Sequence, residues 1–458
     1  MYVRTGLLLT ACVVALLSLL PAWPLHWHLP PANTLPPRVL WGPLFSLLAG
    51  VDGALRALTP PNLYLFKEMM GYLHTVELYS AAELRVADAI EAHTAQYFPN
   101  GGGGGAAPGV PSAALAVAVA PGCGDAPEGS PAACTAVALR LSRLLRACAA
   151  YGVFREAPPG SGAWANTPAS SFLRAEHPAT LRPAALNFGR TQFAMMERLP
   201  EAIVGGGASF AAVHGEEFWR WYGAHPGEHA VFDATMAALG RLGAADAAIA
   251  ADVPWGAVAD VVVDVGGGQG EMAAAVLTGC AQPPAAAVIF DMPHVVERSR
   301  AVWDGAGDGG SAQLRALIAA RPALRAAVSH AGGDMFDSTT VPPPAGGRRY
   351  AYMLRDILHD WPDEDCVRIL ASLREAWGGG AGARAHRVMI VGRVLAPGAG
   401  FIKSLGTTDA DVLMMGAFGT TAGERTREHY ERLLAEAGLR LLKVTPTRSP
   451  YFVIEAGL

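Results

Sequence analysis

Lysine is nearly missing from this chain. Lys67, Lys403 and Lys443 are the only ones in 458 residues, and with a formal net charge of -5 there is no lysine-rich tract of the kind that follows a phosphate backbone. This composition argues against nucleic acid as a partner. Cysteine is sparse as well. Cys12, Cys123, Cys134, Cys148, Cys280 and Cys366 are scattered, with neither the C-x-x-C spacing of a zinc or redox site nor the density of a disulfide scaffold, and they read as reduced or incidental. Charged residues make up only 16% against 51% hydrophobic ones, which rules out disorder as the chain's main character and leaves enough apolar material for two domains.

The first 30 residues stand apart. Arg4 precedes an uncharged apolar run from Gly6 to Leu20, and Trp23 and Trp27 follow it as a potential interfacial belt. Residues 1–30 are expected to be a targeting element, either a removed signal or an uncleaved anchor that tethers the protein through residues 6–27. That expectation places the protein at a membrane or in the secretory pathway; without such an element it would be cytoplasmic. The Pro-rich "LPPANTLPP" beyond it reads as an extended spacer.

Residues 62–245 read as a mainly helical domain. Leu63 to Ala92 forms one or two helices, and a low-complexity insertion over 101–131, with its five-glycine run, is expected not to order itself. From Ala136 the chain spaces Leu141, Leu144, Leu145 and Cys148 on one helical face and ends at Gly152, a usual place for a C-cap glycine. "VFREAPPGSGAWANTP" then has the pattern of a two-stranded wing. A helix and wing serve either DNA binding or dimerisation, and the absence of a basic face favours the second. Aromatic residues in "EEFWRWYGAHP" (Phe218, Trp219, Trp221, Tyr222) either fill a core or wall an aromatic substrate.

Over residues 246–458 short apolar strands alternate with helical segments. This predicts an α/β domain with a mostly parallel sheet, whose ligands sit beyond the carboxyl ends of the strands. The stretch "VVVDVGGGQG" is a buried first strand followed by a glycine turn with open backbone N–H groups. Glu271 stands where a dinucleotide fingerprint has its last glycine, and a carboxylate there repels a pyrophosphate. Asp291, ending the second strand, is placed to accept from both hydroxyls of a ribose. In "GGDMF", Asp334 offers a carboxylate to an amine and Met335 a thioether to a purine. The three features in order favour an adenosine ligand without phosphates, and S-adenosylmethionine fits that description.

The succession "DVGGGQG", "FDMPHV", "GGDMF", "LRDILHDWPDEDCVRIL" and "ERTREHYERLLAEAGL" resembles the plant-type small-molecule O-methyltransferases, which include caffeate, flavonoid and acetylserotonin methyltransferases. The resemblance spans most of residues 62–458. It implies a Rossmann-like S-adenosylmethionine-binding domain preceded by a winged-helix dimerisation domain, hence a homodimer acting on a small hydroxylated acceptor. It also implies cofactor contacts at Gly266, Asp291, Met292, Asp334 and Met335, and at Arg355, where many members carry a lysine.

In that family the histidine of the HDW triplet is the general base, which makes His359 the catalytic residue here. Imidazole titrates at about 6.5 and a phenol at about 10, so proton removal has to be coupled to methyl movement. Two glutamates usually flank and orient that histidine. Glu424 matches one, whereas Gly392 stands where the other belongs. No metal is implied: Asp360, Asp363 and Asp365 are explained by an acidic helix start after Pro362. The departure at Gly392 leaves room for two alternatives, a cofactor-binding relative with non-methylating chemistry and a catalytically idle, membrane-tethered binding protein. The acceptor pocket is expected to include Trp219, Met236, Met414 and Met415.

Overall fold

The structure, a computed structural model, describes residues 50–97, 108–123, 131–242, 245–307, 311–379, 382–395, 407–419 and 422–458. The apolar stretch that begins at Leu63 breaks into three helices, Pro61–Met69, Gly71–Glu83 and Val86–Tyr97. Arg85, at φ +52°, turns the chain between the last two. Leu141, Leu145 and Cys148 of the helix Pro131–Ala150 bury against Ala81, Ala82, Val86 and Ile90, as their spacing on one face requires. Gly152 ends this helix at φ +83°.

The wing is present, and it has a third strand. Strands β1 (Val110–Pro111), β2 (Phe154–Glu156) and β3 (Ala163–Asn166) pair antiparallel in the order β1-β3-β2. The insertion expected over 101–131 is therefore ordered in part. Beyond β1, the apolar "SAALAVAV" makes the helix Ser112–Val119, with Leu115 and Ala116 buried in the domain core. Trp164 Nε1 donates to Ser112 Oγ at 3.0 Å, and that hydroxyl donates to the Gly162 carbonyl at 2.8 Å. The flanking glycines and prolines masked an eight-residue helix that the wing itself covers. A second correction concerns cysteine. Cys123 and Cys134 form a disulfide, while Cys148, Cys280 and Cys366 are free. Cys12 lies outside the described residues.

A seven-stranded sheet forms the second domain. Its strands are β4 (Val261–Val265), β5 (Ala286–Asp291), β6 (Val328–Gly332), β7 (Tyr350–Arg355), β8 (Arg387–Gly392), β11 (Arg440–Pro446) and β12 (Phe452–Gly457), in the order β11-β12-β8-β7-β4-β5-β6. Strands β4 to β8 of this sheet run parallel, and β12 and β11 return antiparallel at one edge. Val261, Val263 and Val265 face one core with Tyr352, Leu354 and Leu370, while Val262 faces the other with Met353, Met389 and Trp255. Burial on both faces explains the unbroken apolar run of β4. From β4 the chain adds β5 and β6 on one side and then crosses to add β7 and β8 on the other, so the strand order reverses between β4 and β7 and the turns after these two parallel strands share the ligand edge. A short parallel pair, β9 (Val394–Leu395) with β10 (Arg425–Thr426), extends that edge.

The aromatic cluster is core. Phe218 and Tyr222 are buried with Phe210 and Phe232, and Phe418 of the helix Thr407–Phe418 packs 4.8 Å from the Phe218 ring centroid. Trp219 and Met236 stay exposed at about two-fifths of their surface each.

The membrane and secretory assignment is corrected. Among the described residues no helix is long and apolar enough to cross a membrane, and residues 1–30, on which the assignment stood, lie outside them.

Candidate active site

The glycine turn is shaped by its neighbours. Gly266 takes φ +68°, and any Cβ there would collide with the Ile357 side chain from the turn after β7. Asp291 braces this turn from β5: its Oδ2 accepts from Gly268 N at 3.0 Å and its Oδ1 from Met292 N at 2.7 Å. Glu271 opens the next helix, and its Oε1 accepts from Ser311 N at 3.2 Å. Burial raises the carboxyl groups of Asp291, Glu271 and Asp264, the last to about 7. Beside Glu271 and Asp246, Arg241 keeps Nε and Nη1 buried without a hydrogen-bond partner. Several buried acids with one underused guanidinium suit a ligand that carries positive charge and a carboxylate but no phosphate.

The other expected contacts are distributed around this edge. Met292 is half exposed. Asp334 is exposed, with Oδ1 accepting from Phe336 N at 2.9 Å, while Met335 packs with Phe336 on the core. Arg355 is already engaged. It pairs with Asp246 at 2.7 Å, lies 3.7 Å from Asp356 and sits over the Tyr451 ring at 5.4 Å.

His359 follows β7 on a short 3₁₀ turn, Leu358–Asp360, and the backbone leading to it bends at Asp356, φ +51°. Arg425 holds that turn in place. Its buried guanidinium donates to the Leu358 and Trp361 carbonyls at 2.7 Å each and pairs with Asp363 at 3.0 Å. His359 and Glu424 are brought together: His359 Nδ1 lies 3.0 Å from Glu424 Oε1, and the Glu424 side chain has no exposed surface. His359 Nε2 lies 3.4 Å from Asp360 Oδ1; the sequence placed Asp360 in the acidic helix start, but it ends this 3₁₀ turn, ahead of the helix Asp363–Ala376. Burial alone would lower the imidazole pKa, but Asp360, Glu424 and Asp356 outweigh it and raise His359 to about 9.

Around Gly392 lie residues that the motif reading missed. Gly392 ends β8, and a Cβ there would lie 3.2 Å from the Tyr430 hydroxyl. A small pocket beside it is lined by Asp356, His359, Glu424 and Tyr430. Arg393, next in the chain, approaches Glu424 Oε1 at 3.4 Å and Asp356 Oδ1 at 3.6 Å. The Tyr451 hydroxyl donates to Asp356 Oδ2 at 2.8 Å. Arg393 and Asp356 are immediate neighbours of positions the motifs had singled out, and that adjacency was the available signal.

Comparison with known proteins identifies the family. Residues 196–440 match the family model for an O-methyltransferase domain, and residues 66–176 match that for an O-methyltransferase dimerisation domain. The phenazine O-methyltransferase PhzM of Lysobacter antibioticus is 29% identical over 406 residues, 87% of this chain and 96% of that protein. The O-methyltransferase SfmM3 of Streptomyces lavendulae is 30% identical over 356 residues, 76% of this chain and 96% of that one. Among solved structures, the O-methyltransferase NcsB1 from neocarzinostatin biosynthesis, in complex with S-adenosylmethionine and 2-hydroxy-5-methyl naphthoic acid, aligns with a TM-score of 0.58 at 27% identity. That alignment covers 84% of this chain and 96% of the other. With both domains matched in order and the similarity running over most of its length, this chain belongs to the S-adenosylmethionine-dependent O-methyltransferase family that acts on small molecules.

Proposed function

We propose that this protein transfers a methyl group from S-adenosylmethionine to a hydroxyl of a small aromatic metabolite, with His359 as general base. One observation carries the reading: His359 Nδ1 is 3.0 Å from Oε1 of Glu424, whose side chain is wholly buried. With Glu424 Oε1 accepting from Nδ1–H, Nε2 is left as the basic nitrogen. When bound, the cofactor supplies an electrophilic methyl carbon. Nε2 takes the acceptor proton as the oxygen attacks, and it does so only in the neutral imidazole form.

Gly266 and Asp291 would hold the adenosine end, with Met292, Asp334 and Met335 around the base and Arg355 beside the cofactor through its pairing with Asp246. The acids around the glycine turn would accommodate the positive charge. An aromatic acceptor is supported by two relatives, one named for a phenazine and one solved with a hydroxynaphthoic acid. Two copies would pair through residues 66–176, where Phe66, Met69 and Tyr72 are more than half exposed. A second reading, cofactor binding with non-methylating chemistry, is favoured by Gly392 alone. Incubation of the purified chain with methyl-labelled S-adenosylmethionine and a panel of phenols separates the two. Label in an O-methyl product supports the first; tight binding of S-adenosylhomocysteine with no labelled product across hydroxylated phenazines, naphthoates and benzoates supports the second.

A further inference from the structure

Strand register sets three side chains around Glu424. In the parallel pair β9–β10, Val394 is opposite Arg425 and Leu395 opposite Thr426, so Arg393 and Glu424, each one residue earlier, lie side by side. In the antiparallel pair β8–β12, Gly392 is opposite Phe452, which puts Tyr451 beside Arg393. The side chains use this placement. Arg393 Nη1 reaches Glu424 Oε1 at 3.4 Å, the same oxygen that faces His359 Nδ1, and Asp356 Oδ1 at 3.6 Å. Its Nη2 donates to the Tyr451 hydroxyl at 3.2 Å, and its guanidinium lies 4.8 Å from that ring's centroid. Tyr451 in turn donates to Asp356 at 2.8 Å.

We propose that Arg393 is a positioning residue for the His359 base: its guanidinium fixes the Glu424 carboxylate against Asp356 and Tyr451, and so supplies the orientation that a carboxylate at position 392 would otherwise give. This rests on the reading of His359 as base. A glutamate at 392 would approach the imidazole from β8 as a second negative charge. Arg393 acts on the opposite side of the same pair, holding and partly neutralising the one carboxylate that remains. Two effects follow. Glu424 keeps one rotamer, and its pull on the imidazolium is moderated, so a neutral His359 is reached at lower pH than three surrounding acids alone would allow.

The groups facing the imidazole come from several elements. Asp356 and Asp360 flank it in sequence. Glu424 meets it from the segment before β10, with Asp411 of the helix Thr407–Phe418 accepting from Glu424 N at 2.9 Å. Arg425 lies on the Leu358 carbonyl, and Tyr430 reaches the pocket from the helix Arg427–Glu436. Besides His359 itself, Arg393 is the cation within ion-pair distance of Glu424 among the described residues.

The test is a titration of His359 itself, followed by ¹³C NMR on the full chain carrying ¹³Cε1-labelled histidine, with the His359 signal assigned by its loss in His359→Gln. In Arg393→Met the midpoint is expected to rise by about one pH unit, the size usual for losing an opposite charge beside the carboxylate partner. Arg393→Lys, which keeps the charge, is expected to restore most of it. Should Arg393→Met fail to fold, Arg393→Gln reads the same shift. A midpoint unchanged from wild type in the Met or Gln variant overturns the proposal. On a verified acceptor, the acid limb of the kcat–pH profile moves with the NMR midpoint. The titration needs no methyl transfer, so a failure of the base assignment would show separately, as a kcat profile that ignores a shift the NMR records.

Discussion

Gly423 donates its backbone N–H to the carbonyl of His359 at 2.9 Å. That one bond sets the distance between two segments more than sixty residues apart in sequence, and the Glu424 carboxylate and the His359 ring meet as its consequence. Arg425 reinforces it by donating to the Gly423 carbonyl at 3.1 Å as well as to Leu358. The three residues of "GER" thus do different things: the first spaces, the second orients the imidazole, and the third clamps the turn.

A pH dependence of stability follows from the charge on His359. Its pKa in the folded protein, about 9, lies above the value of about 6.5 expected for an unfolded chain. The stabilisation it contributes is fully present below about pH 6.5 and is lost as the pH rises through about 9. His359→Gln is therefore expected to lower the urea midpoint most at pH 6 and least at pH 9.5. Equal losses at both values would mean that the folded imidazole is not held protonated.

Asp291→Ala is expected to weaken binding of S-adenosylhomocysteine at least tenfold while the protein stays folded. Two effects combine: loss of the charged acceptor for a ribose, with charge-assisted bonds contributing about 1.5 to 3 kcal/mol each, and loss of the brace on Gly268. Calorimetry measures it. An unchanged dissociation constant removes Asp291 from the site.

Dimerisation is tested on the apolar surface of the helices Pro61–Met69 and Gly71–Glu83, where Leu65, Phe66, Met69 and Tyr72 are all more than half exposed. Light scattering on the wild-type chain should give twice the 47.7 kDa protomer mass. Phe66→Glu with Met69→Glu should give the protomer mass, because a charge on each side of a two-fold interface is desolvated twice. A wild-type monomer at micromolar concentration contradicts the expectation.

What was legible in the sequence depended on range. The run of valines before Gly266, the helix face of Leu141, Leu145 and Cys148, and the wing turn are local patterns, and each forms as its spacing requires. His359 and Glu424 carried motif signals strong enough to name them before their contact was known. Asp356 and Arg393, which meet across the parallel pair β7–β8, offered only their adjacency to motif positions, and Tyr451 offered nothing, because it joins them only when β12 returns antiparallel beside β8 and no local periodicity reports that register. The helix Ser112–Val119 was missed for the opposite reason. Its own apolar pattern was adequate, but glycine-rich flanks dominated the composition around it.

The most direct measurement is the turnover of His359→Gln with an acceptor that the wild-type enzyme methylates. General acid–base catalysis contributes about 10² to 10⁴ in rate, so kcat is expected to fall by that factor, with the dissociation constant for S-adenosylhomocysteine within about twofold of wild type. A variant that methylates at the wild-type rate would contradict the assignment, placing the base elsewhere or showing that none is needed.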